Sequence, residues 1–290
     1  MNIHIDQYAG FCPGVRKAIR IAEEKVKRGE SVTTLGGLIH NKREIERLKK
    51  LGLQEIDQDQ FEKGDIAKDL LKNQTLLIRA HGISPDLFNK VKSQSFSYIN
   101  ATCHLVERSQ KIVQQYYNDG YHVVIVGKAH HPEVKGLLGF CENQGVVIYH
   151  KGDEDKVLYK NKVLLIAQTT IDTERFDYFR KKLEKGVDEL VVKNTICPIV
   201  TNRQQQIIKF ARENDLIIFI ADATSSNSKV LFELSKRHNF QTFFITSADE
   251  LKPEWFTNVE NVGLTGGAST PDWQLKEVKQ IIEQKFINLK

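Results

Sequence analysis

Hydrophobic and polar positions along this chain follow two alternating periods. Short β-like runs at residues 2–8, 96–101 and 190–196 each lead into a stretch whose apolar residues recur at helical spacing. That spacing predicts helices over about 15–27, 106–118 and 200–213. A second apolar run follows each helix, at 31–35, 122–127 and 216–221, and a third at 75–78, 163–167 and 261–264. Helical patterns at 85–92, 174–185 and 271–285 close each stretch. Strands alternating with helices predict an α/β fold with mostly parallel sheets.

The same order occurs three times, and a cysteine marks each start. Cys12, Cys103 and Cys197 lie 91 and 94 residues apart, each between a β-like run and a helix that carries a valine three places on (Val15, Val106, Val200). His40, His131 and Ser225 each stand 28 residues after their cysteine. His81, Thr169 and Ser269 follow the third apolar run, at 69, 66 and 72 residues from the same cysteines. Cys141 has no counterpart and is expected to be structural. The repeat predicts three similar α/β domains, 1–100, 101–194 and 195–290, around a pseudo-threefold axis. Polar groups beyond the carboxyl ends of parallel strands face ligands, so the cysteine-bearing edges are expected to converge.

Composition narrows the function classes. A chain of 290 residues that is 40% hydrophobic and 27% charged is an ordinary globular protein, neither fibrous nor disordered. Its net charge of +5 comes from lysines dispersed along the chain, which argues against a nucleic-acid partner. No apolar run reaches the roughly 18 residues of a membrane helix, and no secretory leader opens the sequence, so a cytoplasmic location is expected. Four cysteines without a C-x-x-C pair are too sparse for a disulfide scaffold or a zinc ribbon. Gly36-Gly37 and Gly266-Gly267 are too short for a dinucleotide fingerprint, and no P-loop is present.

Three converging thiolates would suit zinc or an iron–sulfur cluster. Electron-transfer clusters normally take four cysteines, so three leave one iron open to a substrate oxygen. The sequence therefore favours a catalytic cluster over an electron relay. Histidines at 40, 81 and 131 and the polar runs Thr169-Thr170, Ser225-Ser226-Asn227 and Ser269-Thr270 supply hydrogen-bond donors for a diphosphate. Ser225 and Ser269 also precede expected helix starts, where backbone N–H groups favour anions.

The segment Gly10-Phe11-Cys12-Pro13-Gly14-Val15 resembles the amino-terminal signature of the LytB/IspH family, the 4-hydroxy-3-methylbut-2-enyl diphosphate reductases. Further matches run in family order. They are His40-Asn41, Ala80-His81-Gly82, Ala101-Thr102-Cys103, His131-Pro132-Glu133-Val134, Gln168-Thr169-Thr170, Asn194-Thr195-Ile196-Cys197, Thr201-Asn202-Arg203-Gln204, Ser225-Ser226-Asn227-Ser228 and Gly267-Ala268-Ser269. The resemblance implies a [4Fe–4S] cluster on Cys12, Cys103 and Cys197 at the centre of three α/β repeats. It implies reductive loss of an allylic hydroxyl, giving isopentenyl and dimethylallyl diphosphate in the last step of the non-mevalonate pathway. It assigns the substrate diphosphate to His40, His81, His131, Ser225, Ser226, Asn227 and Ser269, proton donation to Glu133, and the region of the substrate hydroxyl to Thr169 with Thr170 beside it. An external donor such as an acidic ferredoxin or flavodoxin is expected, since no flavin or nicotinamide motif is visible. Asn100, His104, Lys128, Val200 and Thr224 depart from the usual family pattern. The runner-up reading is a cluster-bearing sensor or electron carrier, which would need neither Glu133 nor a diphosphate cage.

Overall fold

The computed structural model describes residues 1–64, 73–94, 96–157 and 161–286. Its first stretch runs β1 (Asn2–Ile5), α1 (Pro13–Lys27), β2 (Val32–Leu35), α2 (Lys42–Lys50), β3 (Gln54–Ile56), α3 (Gln58–Lys63), β4 (Thr75–Ile78), α4 (Pro85–Ser93) and β5 (Ser97–Asn100). The second runs α5 (His104–Asn118), β6 (His122–Val126), α6 (Pro132–Gly139), β7 (Val146–Ile148), β8 (Lys162–Ala167), α7 (Thr173–Leu183) and β9 (Glu189–Lys193). The third runs α8 (Pro198–Arg212), β10 (Leu216–Ile220), α9 (Ser226–His238), β11 (Thr242–Ile245), β12 (Asn261–Gly266) and α10 (Asp272–Lys285).

These strands form three wholly parallel four-stranded sheets, ordered β3-β2-β4-β5, β7-β6-β8-β9 and β11-β10-β12-β1. The inner strands are nearly continuous apolar runs, HVVIV in β6, KVLLIA in β8 and LIIFI in β10, as strands covered on both faces require. In the second sheet Val124, Val126, Val163 and Leu165 pack with Phe176 and Phe179 of α7 on one face. Val123, Ile125, Leu164 and Ile166 meet Val113 of α5 and Val134 and Leu137 of α6 on the other. Edge strands such as β1 (NIHI) and β5 (SYIN) are more polar, which suits their solvent side.

The chain falls into two compact units. One comprises 1–16, 39–44 and 198–290 and holds the third sheet; the other comprises 17–38 and 45–197 and holds the first two. Within the former, β1 pairs with β12 from Asn2 opposite Asn261 to Ile5 opposite Leu264. Each sheet thus has, at the same edge, a strand that leads directly to a cysteine: β5 to Cys103, β9 to Cys197, and β1 to Cys12.

Some elements differ from the sequence reading. The run at 2–8 is a strand only to Ile5, because Asp6 turns the chain, accepting from Ala9 N–H through its carbonyl and from Tyr8 N–H through its side chain. The three helices after the cysteines start two residues earlier than expected; Pro13 and Pro198 take the first helical position, where a missing N–H costs nothing. Between the second and third strands of each repeat stand a helix and an edge strand, α2 and β3, α6 and β7, α9 and β11, of which the sequence reading foresaw only the helix start after Ser225. Two of these strands have three residues, and α6 has eight with two glycines, so periodicity is too short to register.

Candidate active site

The three cysteines are held in one recurring way. Cys12 N–H donates to Ala268 C=O (3.1 Å), Cys103 N–H to Ala80 C=O (3.0 Å) and Cys197 N–H to Thr169 C=O (2.9 Å). The accepting residue in each case sits on the loop beyond the strand beside the cysteine's own. All three cysteines are half-buried and in no disulfide, and each immediately precedes a 15-residue helix. Cys141 is different: it is fully buried at the end of α6, its thiol directed at Leu138 C=O (3.2 Å), and burial pushes the thiol pKa up. It lies outside the pattern, as the sequence suggested.

In the unit that holds the third sheet, hydroxyl and amide groups gather at the start of α9. Ser225 is the N-cap, accepting from Ser228 N–H (3.3 Å), and its hydroxyl also meets those of Ser228 (2.9 Å) and Ser269 (3.3 Å). Ser226 and Asn227 are buried beside them. Neither amide atom of Asn227, 5% exposed, has a hydrogen-bond partner among the described residues, a condition that costs about 1–3 kcal/mol unless a ligand relieves it. A Cβ on Gly267 would stand 2.1 Å from Ser228 Oγ, so only glycine lets the Ser269 loop close on α9. The loop carrying His40 is tied to the same place, since Asn41 donates to Ser269 C=O (2.9 Å) and Gln274 Oε1 (3.0 Å) and caps α2 through Glu44 N–H (2.9 Å). Backbone N–H groups at the start of a 13-residue helix, with hydroxyls and an unsatisfied amide, are the kind of donors an anion site requires.

In the other unit the chemistry is that of an acid. His131 caps α6, its Nδ1 accepting from Glu133 N–H (3.2 Å), which places the proton of a neutral ring on Nε2. The His81 ring meets it edge to face with centroids 5.5 Å apart. Glu133, 1% exposed, is gripped by Thr169: backbone N–H to Oε1 and hydroxyl to Oε2, both 2.7 Å. Burial raises its carboxyl from 4.5 to about 7, against the two Thr169 bonds, which pull it down. Thr169 therefore joins the acid to the Cys197 loop, holding Glu133 with its N–H and Cys197 with its carbonyl. Thr170 is engaged otherwise, its hydroxyl accepting from Gln168 Nε2 (2.7 Å), while Gln168 Oε1 accepts from Lys128 N–H (3.0 Å).

The departures from the family pattern leave these contacts standing. Asn100 Oδ1 accepts from Thr102 N–H (3.0 Å) and its hydroxyl (2.6 Å), and Thr224 is held by Asp222 Oδ1 in the same manner. Val200 is buried in α8, and His104 opens α5. Ser228 and Gln168 stood in the matched motifs without a role assigned to them, and Gln110 was not singled out. Gln110 is buried, and its Nε2 fills the space at Gly82, where a Cβ would lie 2.6 Å away. Its signal was available: Gln110 and Gln204 both stand seven residues after a cysteine, on α5 and α8.

Parallel α/β sheets with recurrent cysteine loops, a helix-start anion site and a buried carboxylic acid define an enzyme of the oxidoreductase kind. The chain belongs to the LytB protein family, whose profile matches residues 3–283. That family is iron–sulfur dependent. The chain is 38% identical to the 4-hydroxy-3-methylbut-2-enyl diphosphate reductase of Aquifex aeolicus (strain VF5), over 98% of this chain and 96% of that one. It is 37% identical to the enzyme of the same name from Campylobacter hominis, over 96% and 97%. Among solved structures it is similar to an (E)-4-hydroxy-3-methyl-but-2-enyl diphosphate reductase described as the terminal enzyme of the non-mevalonate pathway, with TM-score 0.72, 38% identity and coverage of 97% and 99%. The Plasmodium falciparum E-1-hydroxy-2-methyl-but-2-enyl-4-diphosphate reductase matches with TM-score 0.86, 26% identity and coverage of 99% and 90%. These names do not favour the sensor or electron-carrier alternative. No helix among the described residues is long and apolar enough to cross a membrane.

Proposed function

We propose that this chain reduces (E)-4-hydroxy-3-methylbut-2-enyl diphosphate to isopentenyl and dimethylallyl diphosphate. The observation that carries the mechanism is the buried Glu133–Thr169 pair. Two electrons and two protons enter, the allylic C–O bond breaks, water leaves, and a C–H bond forms. Hydroxide leaves poorly, so the departing oxygen needs a proton from a positioned acid. Glu133, with a carboxyl near 7, still holds that proton in about half of the molecules at neutral pH, and Thr169 Oγ can accept it from Oε2 and pass its own onward. Asn227, Ser225, Ser226 and Ser269 bind the diphosphate at the start of α9, with His40, His81 and His131 as further donors. Thr170 keeps the Thr169 loop in shape through Gln168.

The donor set fits an iron–sulfur group: three half-buried cysteines outside any disulfide on equivalent loops, each fixed by the same backbone bond. Cys12, Cys103 and Cys197 would hold a [4Fe–4S] cluster, which when bound supplies the electrons and a Lewis-acidic iron. We read residues 1–100, 101–194 and 195–290 as three domains, each contributing one of these ligands. An acidic ferredoxin or flavodoxin, in keeping with a chain of net charge +5, delivers electrons one at a time in the cytoplasm. The test is anaerobic reconstitution with iron and sulfide, then assay of the allylic diphosphate with a strong one-electron reductant. Formation of both isomeric products is expected; a fully loaded protein that leaves the substrate intact would overturn the proposal.

A further inference from the structure

Of the three cysteine-bearing edge strands, only β1 is not continuous in sequence with its sheet. β5 and β9 follow their neighbours β4 and β8 through one helix each, whereas β1 pairs with β12 from the far end of the chain. Three of its four residues are exposed, leaving Ile3 to pack against the apolar core. The loop from β1 to its cysteine is also the longest, six residues (6–11) against two and three for the others. Its surface ties are two polar pairs, Asn2 Nδ2 to Asn261 Oδ1 (3.2 Å) and His4 Nδ1 with Asn214 Oδ1 (3.1 Å). Something else must fix where Cys12 stands.

At the end of β1 lies a buried ion pair. Arg203 Nη2 reaches Asp6 Oδ2 at 2.5 Å, with side chains 7% and 2% exposed. The same nitrogen donates to Thr265 Oγ1 (2.7 Å), whose hydroxyl in turn donates to Asp6 Oδ2 (2.8 Å). Asp6 N–H donates to Leu264 C=O, and Asp6 Oδ1 receives Tyr8 N–H. By contrast, the ion pairs Arg43–Glu277 and Arg175–Asp172 leave about a quarter to two-fifths of each side chain exposed. Burying two charges is expensive and seldom stabilises more than a good apolar pair would, so the arrangement is better explained by what it orients. Arg203 sits on α8, six residues after Cys197. Asp6 opens the loop to Cys12, and Thr265 lies on β12, three residues before the Ala268 carbonyl that holds Cys12 N–H.

We infer that the Arg203–Asp6–Thr265 cluster is a latch that docks the amino-terminal strand and positions Cys12, making Arg203 a positioning residue. This rests on the reading of Cys12 as a cluster ligand only for its consequence; the latch itself is tested without the cluster. The test compares wild type, Arg203→Met and Asp6→Asn as full-length, metal-free chains, by hydrogen exchange and by alkylation rates of Cys12 and Cys103. Removing one partner of a buried pair weakens the closed state by roughly a hundredfold or more. Exchange over residues 2–12 and alkylation of Cys12 should rise by about that factor in Arg203→Met, with β10, β12 and Cys103 as protected as in wild type. Asp6→Asn, which keeps an oxygen for Tyr8 N–H but loses the charge, should show the same pattern to a smaller degree and serves if Arg203→Met does not fold. Unchanged protection at 2–12, or a rise spread evenly over β1, β10 and β12, would overturn the latch. A parallel measurement of bound iron after reconstitution separates the two readings: a confirmed latch with wild-type iron content would instead remove Cys12 as a ligand.

Discussion

Replacing Glu133 by Gln should stabilise the fold at alkaline pH while abolishing most turnover. In the folded chain burial raises the Glu133 carboxyl from 4.5 to about 7, so the folded state holds this proton more tightly than the unfolded state. The stability that the group contributes is whole below about 4.5, declines as pH rises, and is gone above about 7. At about 1.4 kcal/mol per pKa unit, ionisation in the fold costs about 3 kcal/mol. Glutamine mimics the neutral acid: its oxygen accepts from Thr169 N–H, and its amide donates to Thr169 Oγ. The variant should exceed wild type by about 3 kcal/mol at pH 8 and by less than about 1 kcal/mol at pH 5. Urea unfolding of the metal-free chains at both pH values measures this difference. A gap that does not change with pH, or a variant weaker than wild type at pH 8, would refute the burial argument. Turnover should fall by roughly a hundred- to ten-thousandfold, as for a lost general acid, with substrate binding retained.

Other changes separate the parts of the site. Thr169→Val keeps the backbone bond to Glu133 but removes the hydroxyl that lowers its pKa and relays its proton, so turnover should fall and its remaining decline with rising pH should move above about 7 in a pH–rate profile. Asn227→Ala deletes two buried polar atoms with no partner among the described residues; unfolding should show stability equal to or above wild type, while kinetics should show KM raised tenfold or more. Cys103→Ala should lose bound iron, measured after reconstitution, without loss of secondary structure by circular dichroism. Cys141→Ala should keep its iron and lose about 1 kcal/mol to a small core cavity, measured by urea unfolding.

Much of this was legible in the residues because the repeat is written in chemistry-bearing positions as well as in hydrophobicity. Inner strands such as β6, β8 and β10 are continuous apolar runs and could not be missed. The helices after Cys12, Cys103 and Cys197 announce themselves by amphipathic spacing, and the constant 28-residue interval fixed His40, His131 and Ser225 as equivalent. What stayed hidden is short or polar. β3 and β7 have three residues each, and α2 (KREIERLKK) is mostly charged, so a polar loop was expected where a helix begins. The omission of α6 bears on function, because His131 caps it as Ser225 caps the foreseen helix α9, and a cap aims its backbone N–H groups as well as its side chain.

The cysteine loops show why sequence period and structural equivalence diverge. Spacing places Cys12 at the head of a repeat, but its strand completes the sheet of the last repeat, and its N–H bond is to Ala268 near the other end of the chain. The equivalence lies in the set Ala80, Thr169 and Ala268, three carbonyls with no side chain common to all three and therefore no sequence signature. A backbone acceptor tolerates alanine or threonine alike, so the repeat can vary the side chain there while holding each cysteine in place. In the second repeat that freedom is used: the residue whose carbonyl holds Cys197 is Thr169, and its N–H and hydroxyl hold the acid. The other two repeats place alanine at the corresponding point and so cannot give a carboxylate the hydroxyl bond Thr169 gives Glu133. A Thr169→Ala chain should accordingly keep the Cys197 N–H protected in hydrogen exchange while losing the hydroxyl's influence on Glu133. Loss of protection at Cys197 would show that the side chain, and not the backbone, fixes that loop.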